Sequence, residues 1–352
     1  MEAVYVYAGT FAPPTRGHIS IIRQAAAILP ALLVVCSENP NKTDKWFTPD
    51  QCKAMFAGYS LPRNVTVLTL AEFKQLSPRK SSIVLIRGLR DASDCAQEQA
   101  VMMLNREQFG ITKYFYIFGA DKYRDVSSTA ARQAAEQLDL RSLYRLVSPL
   151  VISALLEKVL RARNIFLVVG QPGSGKSTFL DMLHQLDGQN YVIKTDEFNK
   201  QLRPLLQAQL GEGDLIKLAT DDEARLKKAI VGPWFELLRA ALRTVPAGAN
   251  VLVEVAYGLQ TDKLILRFLG GKVIYLGCGD DRRNLERVIA RGTPELAGFI
   301  SRIPGRAETM SLAKKYKLAL GIIDTDCSLE TLRLKAGQVN SLITGGKNVY
   351  DL

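Results

Sequence analysis

Short apolar runs alternate with helix-like stretches along the whole chain. Runs of four or five mainly apolar residues occupy positions 4–8, 32–36, 65–69, 83–86 and 114–118, and then 165–169, 191–194, 251–255, 273–276 and 320–323. Buried parallel strands have this near-continuous apolar character, and helices join them on both faces of the sheet. The pattern therefore predicts an α/β protein with two doubly wound parallel sheets, one in each half.

The 352 residues of the chain predict about two domains. The two alternations meet at residues 149–163, an amphipathic stretch that predicts a helix ending in Arg-Ala-Arg. We place the domains at 1–160 and 161–352. No Gly/Ser-rich linker separates them, so close packing is predicted. The two halves carry different motifs and no internal repeat is visible.

Composition is that of a soluble globular protein, with 47% hydrophobic and 23% charged residues. No apolar run approaches the roughly 20 residues that span a bilayer. Residues 1–9 lack the basic start of a signal peptide. Five cysteines without a CxxC pair and only two histidines disfavour a zinc site and favour reduced thiols, so a cytoplasmic location is expected.

The net charge of +11 raises the question of nucleic acid as a partner. The basic excess is shared almost evenly by the two halves, without a basic run of five residues or interleaved aromatic residues. Clefts that bind phosphorylated small molecules explain this charge better than nucleic acid or a membrane does.

A glycine-rich loop follows the apolar run at 165–169 and precedes a predicted helix. Residues 170–177, GQPGSGKS, fit the phosphate-binding pattern GxxxxGK[ST]. In such a loop Lys176 reaches the β- and γ-phosphates and Ser177 ligates Mg²⁺, while backbone N–H groups turn inward. No guanine-specifying motif is present, so ATP is the expected donor. The predicted nucleotide contacts are Gly170, Gly173, Ser174, Gly175, Lys176, Ser177 and Thr178.

Three further residues suit phosphoryl transfer. Asp196 follows the run at 191–194 and could orient or deprotonate an acceptor hydroxyl, or simply cap a helix. Glu254 lies near the end of the run at 251–255 and could hold the metal, or be an edge carboxylate. Arg291 is the first choice to neutralise phosphoryl charge among the arginines around the lid-like segment 292–305. The others are Arg287, Arg302 and Arg306.

The second half resembles two kinase families. Residues 284–292 (NLERVIARG) and 313–332 (AKKYKLALGIIDTDCSLETL) resemble the C-terminal part of dephospho-coenzyme A kinases. The glycine-rich loop with KTDEF at 194–198 is closer to zeta-toxin and related small-molecule kinases. The resemblances imply phosphoryl transfer and leave the acceptor open.

The first half has its own motif, GTFAPPTRGH at 9–18, with TxGH at the start of a predicted apolar helix that begins near Ile19. Adenylyl transfer needs cations and N–H groups that stabilise charge on the α-phosphate, and His18 after Gly17 suits that task. Residue chemistry alone makes Lys42, Arg87 and Arg90 candidate phosphate anchors.

Residues 4–158 resemble bacterial phosphopantetheine adenylyltransferases, which join ATP and 4′-phosphopantetheine into dephospho-coenzyme A and pyrophosphate. The matching stretches are 9–18, 38–42 (ENPNK), 86–94 (IRGLRDASD), 98–106 (EQAVMMLNR) and 126–129 (VSST). The resemblance implies nucleotide contacts from Gly9, Thr10, Phe11, Gly17, His18, Gly88, Glu98, Ser127, Ser128 and Thr129. It implies acceptor contacts from Thr10, Lys42, Phe73, Arg87 and Asn105, with the phosphate held by Lys42 and Arg87 and adenosine lined by Gly88 and Glu98.

Two departures keep the acceptor open. The family's usual Asp is Ala12 here, and Cys95 and Gln97 replace aromatic residues. In addition, SSTAAR with Arg132 resembles nicotinamide-nucleotide adenylyltransferases, which also occur fused to kinases.

Three hypotheses follow. The favoured one is a bifunctional coenzyme A synthase-like enzyme that uses ATP and Mg²⁺ to make dephospho-coenzyme A and then phosphorylates its 3′-hydroxyl. The second keeps both reactions but with nicotinamide mononucleotide as the adenylyl acceptor, or a nucleoside or sugar nucleotide as the kinase substrate. The third is a nucleotide-binding regulatory or structural protein with a degenerate site. The adenylyltransferase resemblance also implies a homo-oligomer, which a fused kinase could block.

Overall fold

The computed structural model describes residues 3–38, 46–76, 82–90, 93–213, 217–218, 221–255, 269, 271–277, 281–290 and 305–345. The chain divides into two compact units, Met1–Val151 and Ile152–Leu352. Each contains one five-stranded parallel sheet, which confirms the predicted fold class. The division falls inside the helix that the sequence predicts over 149–163.

The first unit is built on a sheet of order β3-β2-β1-β4-β5. Its strands are β1 (Val4–Gly9), β2 (Leu32–Cys36), β3 (Val65–Thr69), β4 (Ile83–Leu89) and β5 (Lys113–Phe118). The helices from this unit up to the division are α1 (Arg16–Ile28), α2 (Pro49–Met55), α3 (Leu70–Gln75), α4 (Ser93–Phe109), α5 (Ser128–Glu136), α6 (Leu140–Leu146) and α7 (Pro149–Val159). All strands run parallel, so their carboxyl ends meet at one edge of the sheet.

Two element boundaries differ from those that the sequence predicts, and specific contacts set both of them. The sequence predicts a helix from near Ile19, but α1 begins at Arg16 because Thr15 caps it. From there Ile19, Ile22 and Ala25 recur at helical spacing and are buried. The strand predicted at 83–86 extends to Leu89 because it pairs with β5 over its whole carboxyl half.

The second unit has a sheet of order β10-β9-β6-β8-β7. Its strands are β6 (Asn164–Val169), β7 (Asn190–Lys194), β8 (Asn250–Glu254), β9 (Lys272–Gly277) and β10 (Ala319–Asp324). The helices after α7 are α8 (Lys176–Leu186), α9 (Asp196–Leu210), α10 (Glu223–Arg243), α11 (Asp281–Ala290), α12 (Arg306–Tyr316) and α13 (Leu329–Thr344). Among the described helices none has both the length and the apolar character that crossing a membrane requires.

A polar ladder ties the amino ends of four neighbouring strands together. Asn250 donates to Asn190 across 3.2 Å, and Asn164 donates to Asn250 across 3.2 Å. Lys272 donates to Asn164 at 2.6 Å and to Glu157 of α7 at 3.0 Å. Because the first residues of the strands bond side by side, the ladder fixes the strand register at the edge opposite the carboxyl ends.

Candidate active sites

The first site lies where β1 passes into α1 at the carboxyl edge of the first sheet. Thr15 is buried and begins α1 with a capping box whose third position is a histidine. The Thr15 hydroxyl accepts from the backbone N–H of His18 at 3.4 Å, and the Thr15 N–H donates to His18 Nδ1 at 3.0 Å. The exchange fixes both the helix start and the orientation of the imidazole.

The protonation state of His18 follows from these contacts. Burial lowers its pKa from the ordinary 6.5 to about 4, so the ring is neutral at pH 7. A backbone N–H can only donate, so Nδ1 is the acceptor and the single ring proton is on Nε2. His18 therefore presents one neutral N–H donor at the amino end of α1, where the helix dipole also favours an anion.

Phe11 lies beneath the imidazole. Its ring meets His18 edge-on at 5.0 Å between centroids and packs on Tyr7 and Phe56 at 5.3 and 5.4 Å. A Cβ added at Gly9 would come within 3.0 Å of this ring, so Gly9 leaves room for it. Phe11 is buried packing that supports the loop, and the half-buried Thr10 lies between these two residues.

The amino end of α5 lies beside that of α1. A Cβ added at Gly17 would lie 3.1 Å from the Val126 carbonyl oxygen, which measures how closely the two helices approach. Ser127 caps α5 by accepting from Ala130 N–H at 3.0 Å, and Ser128 donates to the Pro13 carbonyl at 2.8 Å. Thr129 is exposed at the same helix end. Two helix amino ends converging on one loop form an anion-binding cradle.

Arg132 reaches the same loop. Its Nη1 donates to the Ala12 carbonyl at 2.8 Å, and its guanidinium lies 5.9 Å from the centre of the Trp46 ring. The sequence singled out Arg132 only through its resemblance to nicotinamide-nucleotide adenylyltransferases and did not propose it as a site residue. The signal that points to it is its spacing of four from Ser128, which places both on one face of α5.

Arg87 and Glu98 form a bidentate ion pair. Arg87 on β4 donates from Nε and Nη2 to the two Glu98 oxygens of α4, both at 2.6 Å. The side chains are only 24% and 15% exposed. Burial disfavours the charged guanidinium, but the hydrogen bonds to Glu98 raise the pKa of Arg87 above its ordinary value. Two residues predicted to serve different substrates are thus in direct contact.

The other predicted contacts of this site take different places. A Cβ added at Gly88 would lie 2.9 Å from Ile21, so β4 packs closely on α1 there. Phe73 of α3 is half-buried against the core of the first sheet, and Asn105 is half-buried on α4. Lys42 lies outside the described residues.

The second site is the glycine-rich loop between β6 and α8. Gly173 and Gly175 have φ of +79° and +81°, which L side chains rarely adopt. A Cβ at Gly173 would lie 2.6 Å from the Asn284 carbonyl oxygen of α11, so only glycine fits. Lys176 Nζ donates to the carbonyls of Gly170 at 2.7 Å and Gln171 at 3.0 Å, which holds the ammonium in the bowl of the loop.

Two buried oxygen atoms of this site have no hydrogen-bond partner within the described residues. One is Ser174 Oγ in the loop, and the other is Glu254 Oε2 at the end of β8. The other Glu254 oxygen accepts from Ser177 Oγ at 2.8 Å. Burial raises the pKa of Glu254 above its usual range, against the lowering effect of Ser177 and Lys176. An unsatisfied carboxylate oxygen beside a hydroxyl is a donor set that fits Mg²⁺.

Asp196 lies near that pair at the carboxyl edge of the second sheet. It begins α9 and is exposed, and its charge contributes to the raised pKa of Glu254. The preceding Thr195 donates to the Glu254 carbonyl at 2.8 Å, which joins the end of β7 to the end of β8. Thr178 is exposed on the first turn of α8.

Helix α11 packs against the glycine-rich loop. Asn284 is fully buried and donates to Gln171 Oε1 of the loop at 3.1 Å. No sequence motif predicts this contact. Arg287 donates to the Thr325 carbonyl at 3.4 Å and pairs with Asp326 at 3.8 Å. Arg291, predicted to neutralise the phosphoryl group, lies outside the described residues, as does Arg302.

Comparisons with known proteins point to the first unit. The cytidylyltransferase-like family matches residues 6–134. The phosphopantetheine adenylyltransferase of Fusobacterium nucleatum is 35% identical over 136 residues, 37% of this chain and 81% of that protein. That of Mannheimia succiniciproducens is 28% identical over 159 residues, 45% of this chain and 99% of that protein. A crystal structure of NadR protein in complex with NR covers 99% of this chain and 97% of its own, with 15% identity and a TM-score of 0.34.

Proposed function

Because the N-terminal part of the chain belongs to the cytidylyltransferase-like family and has phosphopantetheine adenylyltransferases as relatives, we propose that it transfers the adenylyl group of ATP to 4′-phosphopantetheine. The products are dephospho-coenzyme A and pyrophosphate. The observation that carries the proposal is the neutral His18, held by Thr15 with its donor at the point where α1 and α5 converge.

The chemistry needs positioning more than covalent catalysis. An oxygen of the acceptor phosphate forms a bond to the α-phosphorus of ATP while the bond from that phosphorus to pyrophosphate breaks. Negative charge grows on the α-phosphate oxygens, where the Nε2–H of His18 and the first-turn N–H groups of α1 and α5 stabilise it. A neutral donor suits this task because it keeps its proton throughout the reaction.

The acceptor phosphate needs its own cations on the opposite side of the α-phosphorus. Arg87 supplies one at the carboxyl end of β4, and Lys42 supplies a second in this proposal. Thr10, Phe73 and Asn105 remain the proposed contacts for the rest of the acceptor, and Gly88 allows β4 to approach α1 beneath the nucleotide.

For the second unit we propose ATP-dependent phosphorylation of the 3′-hydroxyl of dephospho-coenzyme A. Lys176 and the loop N–H groups hold the β- and γ-phosphates, and Ser177 with Glu254 would hold Mg²⁺, which neutralises phosphate charge when bound. The hydroxyl oxygen bonds to the γ-phosphorus as the bond to ADP breaks, and Asp196 takes the hydroxyl proton. Arg291 is the proposed cation from the lid-like segment.

The test is a time course of products by mass spectrometry, with Mg-ATP and 4′-phosphopantetheine. Dephospho-coenzyme A that forms and then becomes coenzyme A supports both steps. If it accumulates unconverted, the kinase uses another acceptor, and sugar nucleotides and nucleosides are tried next. With 4′-phosphopantetheine and dephospho-coenzyme A supplied in separate assays, His18→Ala should abolish the first step only and Lys176→Met the second only. If either change abolishes both, the two-site proposal is wrong.

A second acceptor, nicotinamide mononucleotide, is favoured by one observation. Arg132 bonds to the carbonyl of Ala12, the position that departs from the phosphopantetheine pattern, and lies over Trp46. This cation and flat ring suit a planar, charged acceptor better than a flexible aliphatic one. If neither coenzyme product forms, turnover of nicotinamide mononucleotide decides for this acceptor, and no turnover at all favours a degenerate, regulatory nucleotide-binding protein.

A further inference from the structure

Three successive carbonyl oxygens in the loop between β1 and α1 each accept a hydrogen bond from a distant side chain. Pro13 and Pro14 have no backbone N–H, so the loop has no backbone donors of its own there. The three bonds run from Arg132 Nη1 to Ala12 at 2.8 Å, from Ser128 Oγ to Pro13 at 2.8 Å and from Tyr59 Oη to Pro14 at 2.9 Å. The bond from Tyr59 is the one that leads to His18.

Tyr59 joins two distant parts of the first unit. Its hydroxyl accepts from the backbone N–H of Ser148 at 3.1 Å and donates to the Pro14 carbonyl at 2.9 Å. An N–H can only donate and a carbonyl can only accept, so the direction of the hydroxyl proton is fixed. The side chain is buried, and burial raises the pKa of Tyr59 to about 12, so the phenol keeps this proton at neutral pH.

The Pro14 carbonyl and the Thr15 N–H belong to one planar peptide unit. This unit is trans, so the C=O and the N–H point in opposite directions, and a bond that fixes the oxygen also fixes the N–H. The N–H donates to His18 Nδ1 at 3.0 Å. Tyr59 therefore reaches the imidazole through a single peptide, in a chain whose hydrogen bonds strengthen one another.

We propose that Tyr59 is a positioning residue for His18, acting through the peptide between Pro14 and Thr15. The Thr15 hydroxyl also lies 3.0 Å from His18 Nδ1, but a hydroxyl can donate or accept and so does not select a tautomer. The Thr15 N–H only donates and places the ring proton on Nε2. If the peptide turned away, Nδ1–H would donate to the hydroxyl instead, and Nε2 would lose the proton proposed to meet the α-phosphate.

The segment that carries Tyr59 also supports the imidazole by packing. Tyr59 follows a single turn of 3₁₀ helix, Phe56–Gly58, and its N–H donates to the Phe56 carbonyl at 3.0 Å. The Phe56 ring packs edge-on against Phe11 at 5.4 Å, and the Phe11 ring meets the imidazole at 5.0 Å. One short segment therefore holds both the ring of His18 and the peptide that sets its tautomer.

The kinetic test is Tyr59→Phe, which removes the hydroxyl and keeps the buried ring. This test rests on the proposed adenylyl transfer, with 4′-phosphopantetheine as the acceptor. His18 acts in the transition state, so kcat should fall about ten- to hundredfold while KM for ATP and for the acceptor stay within about threefold. A kcat within about threefold of wild type would overturn the proposal.

The tautomer of His18 is a readout that a general loss of stability would not move. Long-range ¹H–¹⁵N NMR spectra of protein labelled at histidine distinguish a proton on Nδ1 from one on Nε2. The only other histidine, His184, has its Nδ1 2.9 Å from the Asn190 carbonyl oxygen, which can only accept, so its neutral ring is protonated on Nδ1. At pH 8 wild type should show one ring of each tautomer, and Tyr59→Phe should raise the Nδ1–H population of His18 alone.

Two control variants separate this route from the loss of any hydrogen bond. Ser128→Ala frees the Pro13 carbonyl, but the nitrogen of that peptide belongs to Pro14 and carries no hydrogen, so the His18 tautomer should not change. Tyr191→Phe removes a hydrogen-bonded hydroxyl in the second unit and should change neither the tautomer nor kcat. Thermal unfolding of each variant checks folding.

Failure of this inference is distinguishable from failure of the proposed function. If wild type transfers the adenylyl group to neither 4′-phosphopantetheine nor nicotinamide mononucleotide, the proposed function fails, and the tautomer in Tyr59→Phe still tests the hydrogen-bond chain. If wild type is active and Tyr59→Phe keeps His18 protonated on Nε2, only this inference fails. If Tyr59→Phe does not fold, the wild-type spectrum decides, because a His18 ring protonated on Nδ1 would contradict the chain.

Discussion

His18→Gln separates the chemical role of His18 from its structural one. Glutamine is an ordinary third residue of a capping box, so its side-chain oxygen can still accept the Thr15 N–H that His18 Nδ1 accepts at 3.0 Å. The start of α1 should therefore survive. In place of the rigid Nε2–H donor that is proposed to meet the α-phosphate, the variant has an amide NH₂ on a flexible side chain, so the donor is no longer preorganised.

Two magnitudes follow. Loss of one preorganised donor to a developing oxyanion lowers turnover about 10²- to 10³-fold. At pH 7.5 the free energy of unfolding should change by less than about 1 kcal/mol, because the cap is retained.

The pH dependence gives an independent measurement. The pKa of His18 is about 4 in the folded protein and near 6.5 when unfolded, so its contribution to stability is complete above 6.5 and is lost as the pH falls towards 4. At pH 4.5 that loss is up to about 2.5 kcal/mol. Glutamine binds no proton, so His18→Gln should lose less stability than wild type between pH 7.5 and 4.5 by up to this amount.

The assay pairs urea unfolding at the two pH values with adenylyl-transfer rates at pH 7.5. Equal acid sensitivity of wild type and variant would mean that His18 is not held neutral by burial. Turnover of the variant within about threefold of wild type would refute the need for a preorganised imidazole donor, whatever the acceptor.

Three further predictions concern the second unit. Gly173→Ala should lower the free energy of unfolding by about 1–3 kcal/mol and weaken binding of a fluorescent ATP analogue, because its Cβ would meet the Asn284 carbonyl at 2.6 Å; unchanged affinity would count against the loop as the nucleotide site. Asn250→Leu should lower the free energy of unfolding, measured with urea, by about 2–3 kcal/mol, because its hydrogen-bond partners in the ladder lose a partner. An unchanged free energy would show that the ladder does not stabilise the sheet. Glu254→Gln should keep the hydrogen bond from Ser177 but abolish the gain in ATP-analogue affinity on adding Mg²⁺. In the wild-type protein, acidification should remove that gain at a higher pH than expected for an ordinary carboxylate, because burial raises the pKa of Glu254.

Much of the fold could be predicted because its signals are local. The apolar runs at 32–36 and 251–255 predict buried strands without knowledge of their neighbours in the sheet. Both faces of a doubly wound sheet are covered by helices, so its strands are apolar throughout. The glycines at 170–175 match the GxxxxGK[ST] pattern, so the sequence alone predicts the backbone conformation of this loop. Boundaries were less certain because capping and pairing decide them, as at Arg16 and Leu89.

The site was harder to predict because its contacts join distant parts of the chain. Arg132 meets the carbonyl of Ala12 across 120 residues, and Ser177 meets Glu254 across 77. The packing of Asn284 on the loop follows from the path of α11, which no periodicity specifies.

The sequence alone determined the two parallel sheets and the two loops that present helix amino ends, because apolar runs and the glycine-rich and TxGH motifs are continuous in the sequence. Tertiary structure alone decided that His18 is neutral, that Arg87 is paired with Glu98 and that one carboxylate oxygen of Glu254 has no hydrogen-bond partner among the described residues. These are properties of the surroundings of a group: a pKa and an unsatisfied hydrogen bond depend on which distant side chains and how little water lie beside it.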